Sequence, residues 1–267
     1  MKLGLGNVIT GGSAFDIFIP SSIDNLALWL KVNNNITSDE DGSGAVSHSS
    51  NAGDMADEDK INAWNAFGST SINAVQTTSA DKPLWETDEA DFGGAYSNSL
   101  KHFDLSSDIV FDANTDFTIV ARIRPVDLSS AIAIMGDTTI EFIRLNSSTV
   151  IRVKIDNTSR DFTLGSGTIA TDKYITILIV RSDGATGNIN IYVRGEDSGY
   201  FDGTAAGTAF GSELQDAGEI TVSNLMASSD GGTEFNGFFK DVIIYDGTAV
   251  DSTQREQLFD YIESQNY

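Results

Sequence analysis

Cysteine is absent from this chain of 267 residues, and proline occurs only three times. The lack of cysteine excludes a disulfide framework, a thiolate metal site and a thiol nucleophile, and it fits a protein assembled in a reducing cytosol. Apolar residues nevertheless make up 40% of the chain and include 15 phenylalanines. This composition can supply a packed core and does not favour disorder.

Basic residues are also scarce. Lysine and arginine number 16 against 39 acidic residues, which gives a net charge of −23. A protein needs a basic patch on its surface to bind nucleic acid or an anionic membrane, so we expect neither as a partner. The first residues, 1–7, contain no continuous apolar stretch, and no run in the sequence is long enough to span a bilayer. We therefore expect neither an export signal nor a membrane span.

The patterns that are present are those of β-strands. In residues 116–125, Phe117, Ile119, Ala121 and Ile123 fall on one face at a period of two, and the opposite face is mixed and could be solvated or form a groove. Similar runs bounded by turn residues predict strands at 15–19 (an edge strand ending at a proline), 26–32, 61–65, 72–76, 140–145, 149–155, 160–164, 174–181, 188–194, 220–226 and 238–245. All-β sandwiches often form one domain of about 200 to 250 residues, so one domain is expected.

Three other segments differ from this pattern. Residues 1–14 are rich in glycine and predict a flexible arm, which is either a frayed terminus or an anchor that orders on a partner. Residues 33–60 form a long polar and acidic loop. After the last strand, Asp251, Ser252 and Thr253 offer N-cap side chains, and Glu256 follows Thr253 by three as in a capping box. A short C-terminal helix is therefore predicted.

Several short motifs, in order along the chain, resemble the laminin-G-like or concanavalin A-like jelly-roll domain in the form common in tailed-phage virion proteins. The first set surrounds an L-x-L-W-L run and a later A-D-x-P, and comprises Leu26, Leu28, Trp29, Leu30, Trp64, Ala74, Ala80, Asp81 and Pro83. The second is the D-F-T-I run that begins at Asp116. The third lies in a hairpin and in the final strand, and comprises Val180, Arg181, Asp183, Gly184, Ile191, Tyr192, Val193, Gly195, Gly237, Asp241, Val242, Ile244 and Tyr245.

This resemblance implies an all-β fold, a two-sheet antiparallel jelly-roll sandwich with one short C-terminal helix. The sandwich would occupy residues 15–267, and residues 1–14 would form the arm. At one position the chain departs from the family pattern, because Arg194 stands where the hairpin motif has asparagine.

The enzymatic candidate is the run from Glu86 to Asp91. It nearly spells the E-x-D-x-x-E signature of retaining β-glucanases that share this fold, in which paired carboxylates about 5 Å apart act as nucleophile and acid/base. In those enzymes the signature lies inside one strand. Here four acids within six residues precede two glycines, so Glu86, Asp88 and Asp91 are interpreted as a solvated turn, and no catalytic residue is assigned. Neither His48 nor His102 lies in a recognisable nucleophile and base pattern.

Calcium is the ion that the resemblance implies, since domains of this family often hold it at the rim of the sandwich. The candidate ligands are the acids of the polar loop, Asp39, Asp41, Asp54, Asp57 and Asp59. The alternative is that these residues form a solvated acidic loop. The three tryptophans could act as sugar platforms, although their apolar strand contexts favour core packing.

Three hypotheses for function follow. The first is a non-enzymatic structural protein on the surface of a phage virion, a decoration or fibre-like protein of capsid or tail that is anchored by its N-terminal arm. Its partners would be capsid or tail proteins, with a homo-oligomer and a surface glycan as further partners. The second is a lectin-like adhesin module that binds glycans, and the third is a glycoside hydrolase that uses Glu86, Asp88 and Asp91.

Overall fold

The structure is a computed structural model that describes residues 18–31, 36–39, 45–48, 59–88, 91–98, 101–166, 168–195, 214–229 and 233–264. Within these residues the chain forms antiparallel strands and one C-terminal α-helix. The predicted arm, residues 1–14, lies outside the described part.

The strands are short and follow one another closely. In chain order they are β1 (Leu26–Lys31), β2 (Ile36–Asp39), β3 (Ala45–His48), β4 (Asp59–Trp64), β5 (Ala74–Val75), β6 (Leu84–Asp88), β7 (Asp91–Asn98), β8 (Phe103–Phe111), β9 (Phe117–Pro125), β10 (Ile132–Thr138), β11 (Glu141–Ser147), β12 (Val150–Ile155), β13 (Thr158–Thr163), β14 (Ile175–Ser182), β15 (Asn188–Gly195), β16 (Leu214–Gln215), β17 (Ile220–Leu225) and β18 (Asn236–Asp246). The helix α1 spans Ser252–Ser264.

The strand pairings give two layers that are joined at one side. In the first layer the order is β16, β15, β14, β9 and β18, and the far edge of β18 pairs with both β1 and β7. In the second layer the order is β13, β12, β11, β10, β17, β8, β5 and β4. Strand β6 pairs with β7 of one layer and β4 of the other. This arrangement is the predicted jelly-roll sandwich.

Alternation of side chains along each strand explains the core. On β9, Phe117, Ile119, Ala121 and Ile123 are buried between the layers, as the period of two predicts. The same alternation on β12 buries Ile151, Val153 and Ile155 and turns Arg152 and Lys154 outward. One face of each sheet therefore forms the core, and the other faces are left for solvent, for α1 or for a ligand.

The helix covers part of the outer face of the first layer. Leu258, Phe259 and Ile262 are buried against a second apolar cluster that includes Trp29 and Val120. The predicted helix is thus confirmed, but its N-cap differs from the predicted capping box. Asp251 accepts a hydrogen bond from the Gln254 amide (2.8 Å), while the Gln254 side chain accepts one from the Asp251 amide (3.0 Å).

Two predictions for the N-terminal third were wrong. Of the edge strand predicted at 15–19, residues 15–17 lie outside the described part, and Phe18 and Ile19 are not in a strand but precede a 3₁₀ turn at Pro20–Ser22. The polar segment 33–60 is not one long loop, because it contains β2, β3 and the start of β4. Their pairing with one another and with β4 supplies the stability that their polar sequences did not indicate.

Candidate functional site

The acidic run proposed for catalysis lies in a hairpin. Glu86 and Asp88 are in β6, whereas Asp91 begins β7 and is paired with Asp88 across the hairpin. Glu86 and Asp88 therefore lie in a strand and not in the turn that the sequence predicted. The three acids do not lie along one strand, which is the arrangement that the glucanase signature requires.

The calcium candidates are only partly described. Asp41, Asp54 and Asp57 lie outside the described residues. Asp39 ends β2, where it is paired with Lys60, and Asp59 is the first residue of β4, with a buried side chain. Within the described ranges, no group of three or more histidine or acidic side chains could hold a metal ion. The calcium site stays a prediction.

A second acidic region, at the rim formed by the β8–β9 and β14–β15 turns, is occupied by an arginine. The buried Arg181 donates from Nε to the Thr115 carbonyl (2.7 Å), from Nη2 to the Asp112 carbonyl (2.8 Å) and from Nη1 to the Gly218 carbonyl. The charges of Asp216, Asp116 and Asp246 act on its guanidinium. A protein cation thus fills this ring of oxygens.

The tryptophans and the described histidine are structural. Trp29, Trp64 and Trp85 are all buried, which confirms core packing over a role as exposed sugar platforms. His102 is buried as well, with Nε2 3.3 Å from Gln76 Nε2 and 3.5 Å from Asp104. The side chain of His48 lies outside the described residues.

The mixed face of β9 is mostly closed. Val120 packs under α1, and Thr118 donates to the Thr248 carbonyl (2.8 Å) and accepts from the Val250 amide (3.1 Å). Farther along, Arg122 and Arg124 each lie 5.3 Å from the Tyr174 ring centroid. This packing argues against a groove at the covered half of the face.

The outer face of the second layer carries a cleft of about 190 Å³, which we call the cationic cleft. Strands β11, β12 and β13 and the β10–β11 turn form its floor and one wall, through Thr139, Phe142, Arg144, Arg152, Lys154 and Ser159. Ser228 and Thr233, between β17 and β18, line the remainder. The cleft therefore combines three cations with several hydroxyl groups.

The floor of the cationic cleft is an aromatic ring covered by cations. Phe142 is buried, and the Arg144 guanidinium and the Lys154 ammonium lie 4.7 and 5.6 Å from its ring centroid. The ring holds both cations through cation–π attraction and is itself shielded from a ligand. A ligand in the cleft would meet charged and hydroxyl groups.

Hydrogen bonds orient each of the three cations. Arg152 donates from Nε and Nη2 to the two oxygens of Asp161, both at 2.6 Å. Arg144 donates from Nη2 to Asn146 Oδ1 (2.9 Å), and Lys154 donates to the Thr139 carbonyl (2.9 Å). The groups are held in place before any ligand arrives.

The electrostatics of the cationic cleft are unbalanced. Burial, and then the charge of Arg152, lower the pKa of Arg144. The hydrogen bond to Arg152 lowers the pKa of Asp161 and raises that of Arg152. Asp161 thus compensates Arg152, while Arg144 stays in an environment that disfavours its charge.

The cationic cleft was not predicted from the sequence. Its three strands were predicted, but the basic residues on them were assigned no role. The available signal was that two consecutive alternating strands both place basic residues on the outward positions of a strongly acidic chain. Which outward positions face one another depends on strand register, and a single strand does not show it.

Comparison with solved structures gives matches at low sequence identity. Domain 4 of AbnA, a GH43 extracellular arabinanase from Geobacillus stearothermophilus, in complex with arabinotriose, is 15% identical and has a TM-score of 0.50, covering 88% of this chain and 98% of that domain. The CBM40 of the Ruminococcus gnavus IT-sialidase, bound to α2,3-sialyllactose, is 10% identical with a TM-score of 0.44, covering 62% and 95%.

A Trypanosoma rangeli sialidase is 14% identical with a TM-score of 0.44, and 89% of this chain is covered. The chain spans about a third of that enzyme, 32% of its length. No curated protein matches the sequence.

Comparison with protein families is decisive for the fold family. The family model described as the concanavalin A-like lectin/glucanases superfamily matches residues 97–253, more than half of the chain. The matched region runs from the end of β7 to the start of α1 and includes every strand that forms the floor of the cationic cleft. The chain therefore belongs to the concanavalin A-like lectin/glucanase superfamily.

Proposed function

We propose that this protein is a non-catalytic, lectin-like module that binds a glycan in the cationic cleft. The observation that carries the proposal is the cleft itself, where charged and hydroxyl side chains from three adjacent strands and one loop converge on a recess of about 190 Å³. Convergent polar groups in a concave site are what a polar ligand requires.

The rigidity of the cleft also supports a binding role. Its three cations lie on paired strands and are oriented by hydrogen bonds, so little side-chain freedom is lost when a ligand binds. Pockets for drug-sized ligands are about 300–1,000 Å³, so this smaller cleft suits one or two sugar units. We infer that it recognises a chain end or a branch.

Blocking the cleft without changing its charge tests the proposal. Ser159 is exposed on the cleft side of β13, and Thr163 is exposed four residues away on the same strand. We expect Ser159→Tyr to abolish glycan binding on an array and in calorimetry, and Thr163→Tyr to leave it unchanged. Absence of binding by the wild-type protein across a broad array would refute the module.

The absence of catalysis is part of the same proposal, because the glucanase-like acids are divided between β6 and β7. We expect no hydrolysis of β-glucans by the wild type or by Glu86→Gln and Asp88→Asn variants. Turnover by the wild type that disappears in either variant would identify a glycoside hydrolase instead.

Display on a virion surface and the homo-oligomeric state stay predictions of the sequence. If the module decorates a capsid or tail through residues 1–14, a particle assembled with a chain that lacks them would lose the protein. Imaging of both particles by electron microscopy checks this, and full occupancy without the arm would place the anchor elsewhere.

A further inference from the structure

Two arginines stand directly opposite each other in the cationic cleft. Arg144 on β11 and Arg152 on β12 are register partners, and both side chains point away from the core. Like charges at directly opposed positions destabilise a sheet. The chain has 39 acidic but only 16 basic residues, so an opposed basic pair is not a simple consequence of composition.

A single described carboxylate, that of Asp161, forms an ion pair with one of the two opposed arginines, Arg144 and Arg152. Within the described part of the chain, Asp161 is the acid that pairs with either arginine, and both of its oxygens are engaged by Arg152. Lys154 adds a third cation. Among the described residues, three cations and one carboxylate give the cleft an excess of two positive charges.

Arg144 has unused bonding capacity. Its Nη2 is bonded to Asn146, but its Nε is buried and has no hydrogen-bond partner among the described residues. A buried donor without a partner is costly, and an oxygen atom of a bound ligand would satisfy it. Arg152 is its register partner on the adjacent strand, and the charge of Arg152 acts on the Arg144 guanidinium.

We propose that the cationic cleft selects saccharides that carry a carboxylate, with Arg144 and Lys154 binding the carboxylate and Ser159 and Thr139 contacting sugar hydroxyls. The inference rests on the proposed glycan-binding function and adds its substrate class. The Arg152–Asp161 pair shows that a planar carboxylate fits a guanidinium at this site with two parallel hydrogen bonds. A sulfate ester offers similar oxygens in a tetrahedral arrangement, so the experiment must separate the two.

Asp161 acts in this arrangement as an internal competitor. It is part-exposed at 42% of its side chain, and it occupies Arg152 with the same chemical group that the ligand would bring. Removing its charge would free Arg152 and raise the positive excess of the cleft. Substitutions at Arg144 and Asp161 should therefore change affinity in opposite directions.

Calorimetry with short oligosaccharides of matched length tests the proposal on the full chain. The probes are carboxylated glycans (galacturonate, glucuronate and sialylated oligosaccharides), sulfated oligosaccharides and neutral glucans. We expect the wild type to prefer a carboxylated probe, Arg144→Gln to weaken its binding about tenfold or more, and Asp161→Asn to strengthen it several-fold. Arg144→Lys keeps the charge but lacks the planar fork, so it should fall between wild type and Arg144→Gln.

Matched control variants distinguish an effect at the cleft from an effect of the protein's net charge. Arg160→Gln makes the same charge change as Arg144→Gln but lies on β13, two strands from β11, where Arg160 bonds to Gln215 and Asp216. Asp108→Asn matches Asp161→Asn at an exposed position of β8. Both should leave affinity within about twofold. Far-UV circular dichroism of each variant confirms that it is folded.

The possible results test carboxylate selectivity separately from glycan binding itself. Tighter binding of sulfated than of carboxylated probes would overturn the carboxylate assignment. Binding of neutral glucans only, or carboxylate binding that Arg144→Gln leaves intact, would overturn the inference while the lectin function stands. Failure of the wild type to bind any glycan would overturn both.

Discussion

At the scale of single residues, Arg181 connects separate segments at the rim of the sandwich. Arg181 links the β8–β9 turn, through the carbonyls of Asp112 and Thr115, to the segment before β17, through the carbonyl of Gly218. Its guanidinium also lies 4.7 Å from the Phe117 ring centroid. Burial lowers the pKa of Arg181, and the negative charges of the surrounding aspartates partly offset this by raising it. The guanidinium of Arg181 thus neutralises nearby acidic charge and binds backbone carbonyls at this rim, as a bound metal cation would.

We expect Arg181→Met to destabilise the protein by about 3 kcal/mol or more, because three backbone carbonyl groups lose the hydrogen bonds of a buried guanidinium. Urea unfolding measures the change. Arg160→Met is the control, since Arg160 is part-exposed and should contribute under about 1 kcal/mol. Equal losses in the two variants would contradict the assigned role of Arg181.

Two aspartates should respond to pH with opposite signs. Burial, and then the charge of Asp112, raise the pKa of Asp246, whereas the hydrogen bond from Arg152 lowers that of Asp161. Between the ordinary value of 3.8 and its raised folded pKa, Asp246 holds a proton that the unfolded chain has lost, so its ionisation makes the fold less stable as pH rises. Asp161 stabilises the fold above the ordinary value, and this contribution is lost as pH falls through its lowered folded pKa.

At pH 7 we therefore expect Asp246→Asn to raise the free energy of unfolding and Asp161→Asn to lower it, each by a fraction of a kcal/mol because both groups are partly exposed. Denaturant titrations at pH 7 and pH 3 check both signs. Near pH 3 both differences should shrink, and an unchanged difference at either residue would contradict its assignment.

At the scale of elements, α1 is held to the sandwich by an apolar face and by one arginine. Arg194 on β15 donates to Glu256 (2.7 Å), Asp260 (2.8 Å) and Glu263 (3.2 Å), all on the helix. Burial raises the pKa of Glu263 despite this arginine. The arginine that replaces the family's asparagine thus links the β14–β15 hairpin to the helix. Within the described residues, the helix is too short and too polar to cross a membrane.

The start of α1 gives a direct test of the observed cap. Because Asp251 and Gln254 cap each other, Asp251→Ala should destabilise the protein by about 1 kcal/mol. Ser252→Ala and Thr253→Ala, at the other two N-cap candidates, should stay within about 0.5 kcal/mol. Thermal unfolding of the three variants compares them, and a larger loss at Thr253 would favour the capping box predicted from the sequence.

At the scale of the whole molecule, the net charge of −23 should make the fold and the cleft respond to salt in opposite directions. Salt screens the repulsion among the acidic residues, so the melting temperature should rise between about 10 and 150 mM sodium chloride. Affinity for a carboxylated glycan should fall over the same range, since the same ions screen the attraction in the cationic cleft. Calorimetry of unfolding and of binding measures the two quantities. If melting temperature and glycan affinity both rose or both fell with salt, an acidic surface with a separate cationic cleft would be contradicted.

The sequence alone determined the fold class and most of its central strands. The central strands have either alternating apolar and polar residues or a continuous apolar run, as in β9, β14, β15 and β18. These patterns, the β-branched residues and the bounding turns are all visible in the local sequence. The helix was predictable for the same reason. By contrast, β2 and β3 are short and polar, and they exist because β4 pairs with one of them, which no local pattern shows.

The candidate site was decided by tertiary structure. Arg144, Arg152 and Asp161 lie on three strands, and only the register of β11, β12 and β13 places them side by side. A shift of one residue would turn these side chains to the opposite face of the sheet. The sequence could state that the chain has few basic residues, but only folding could concentrate three of them in one cleft.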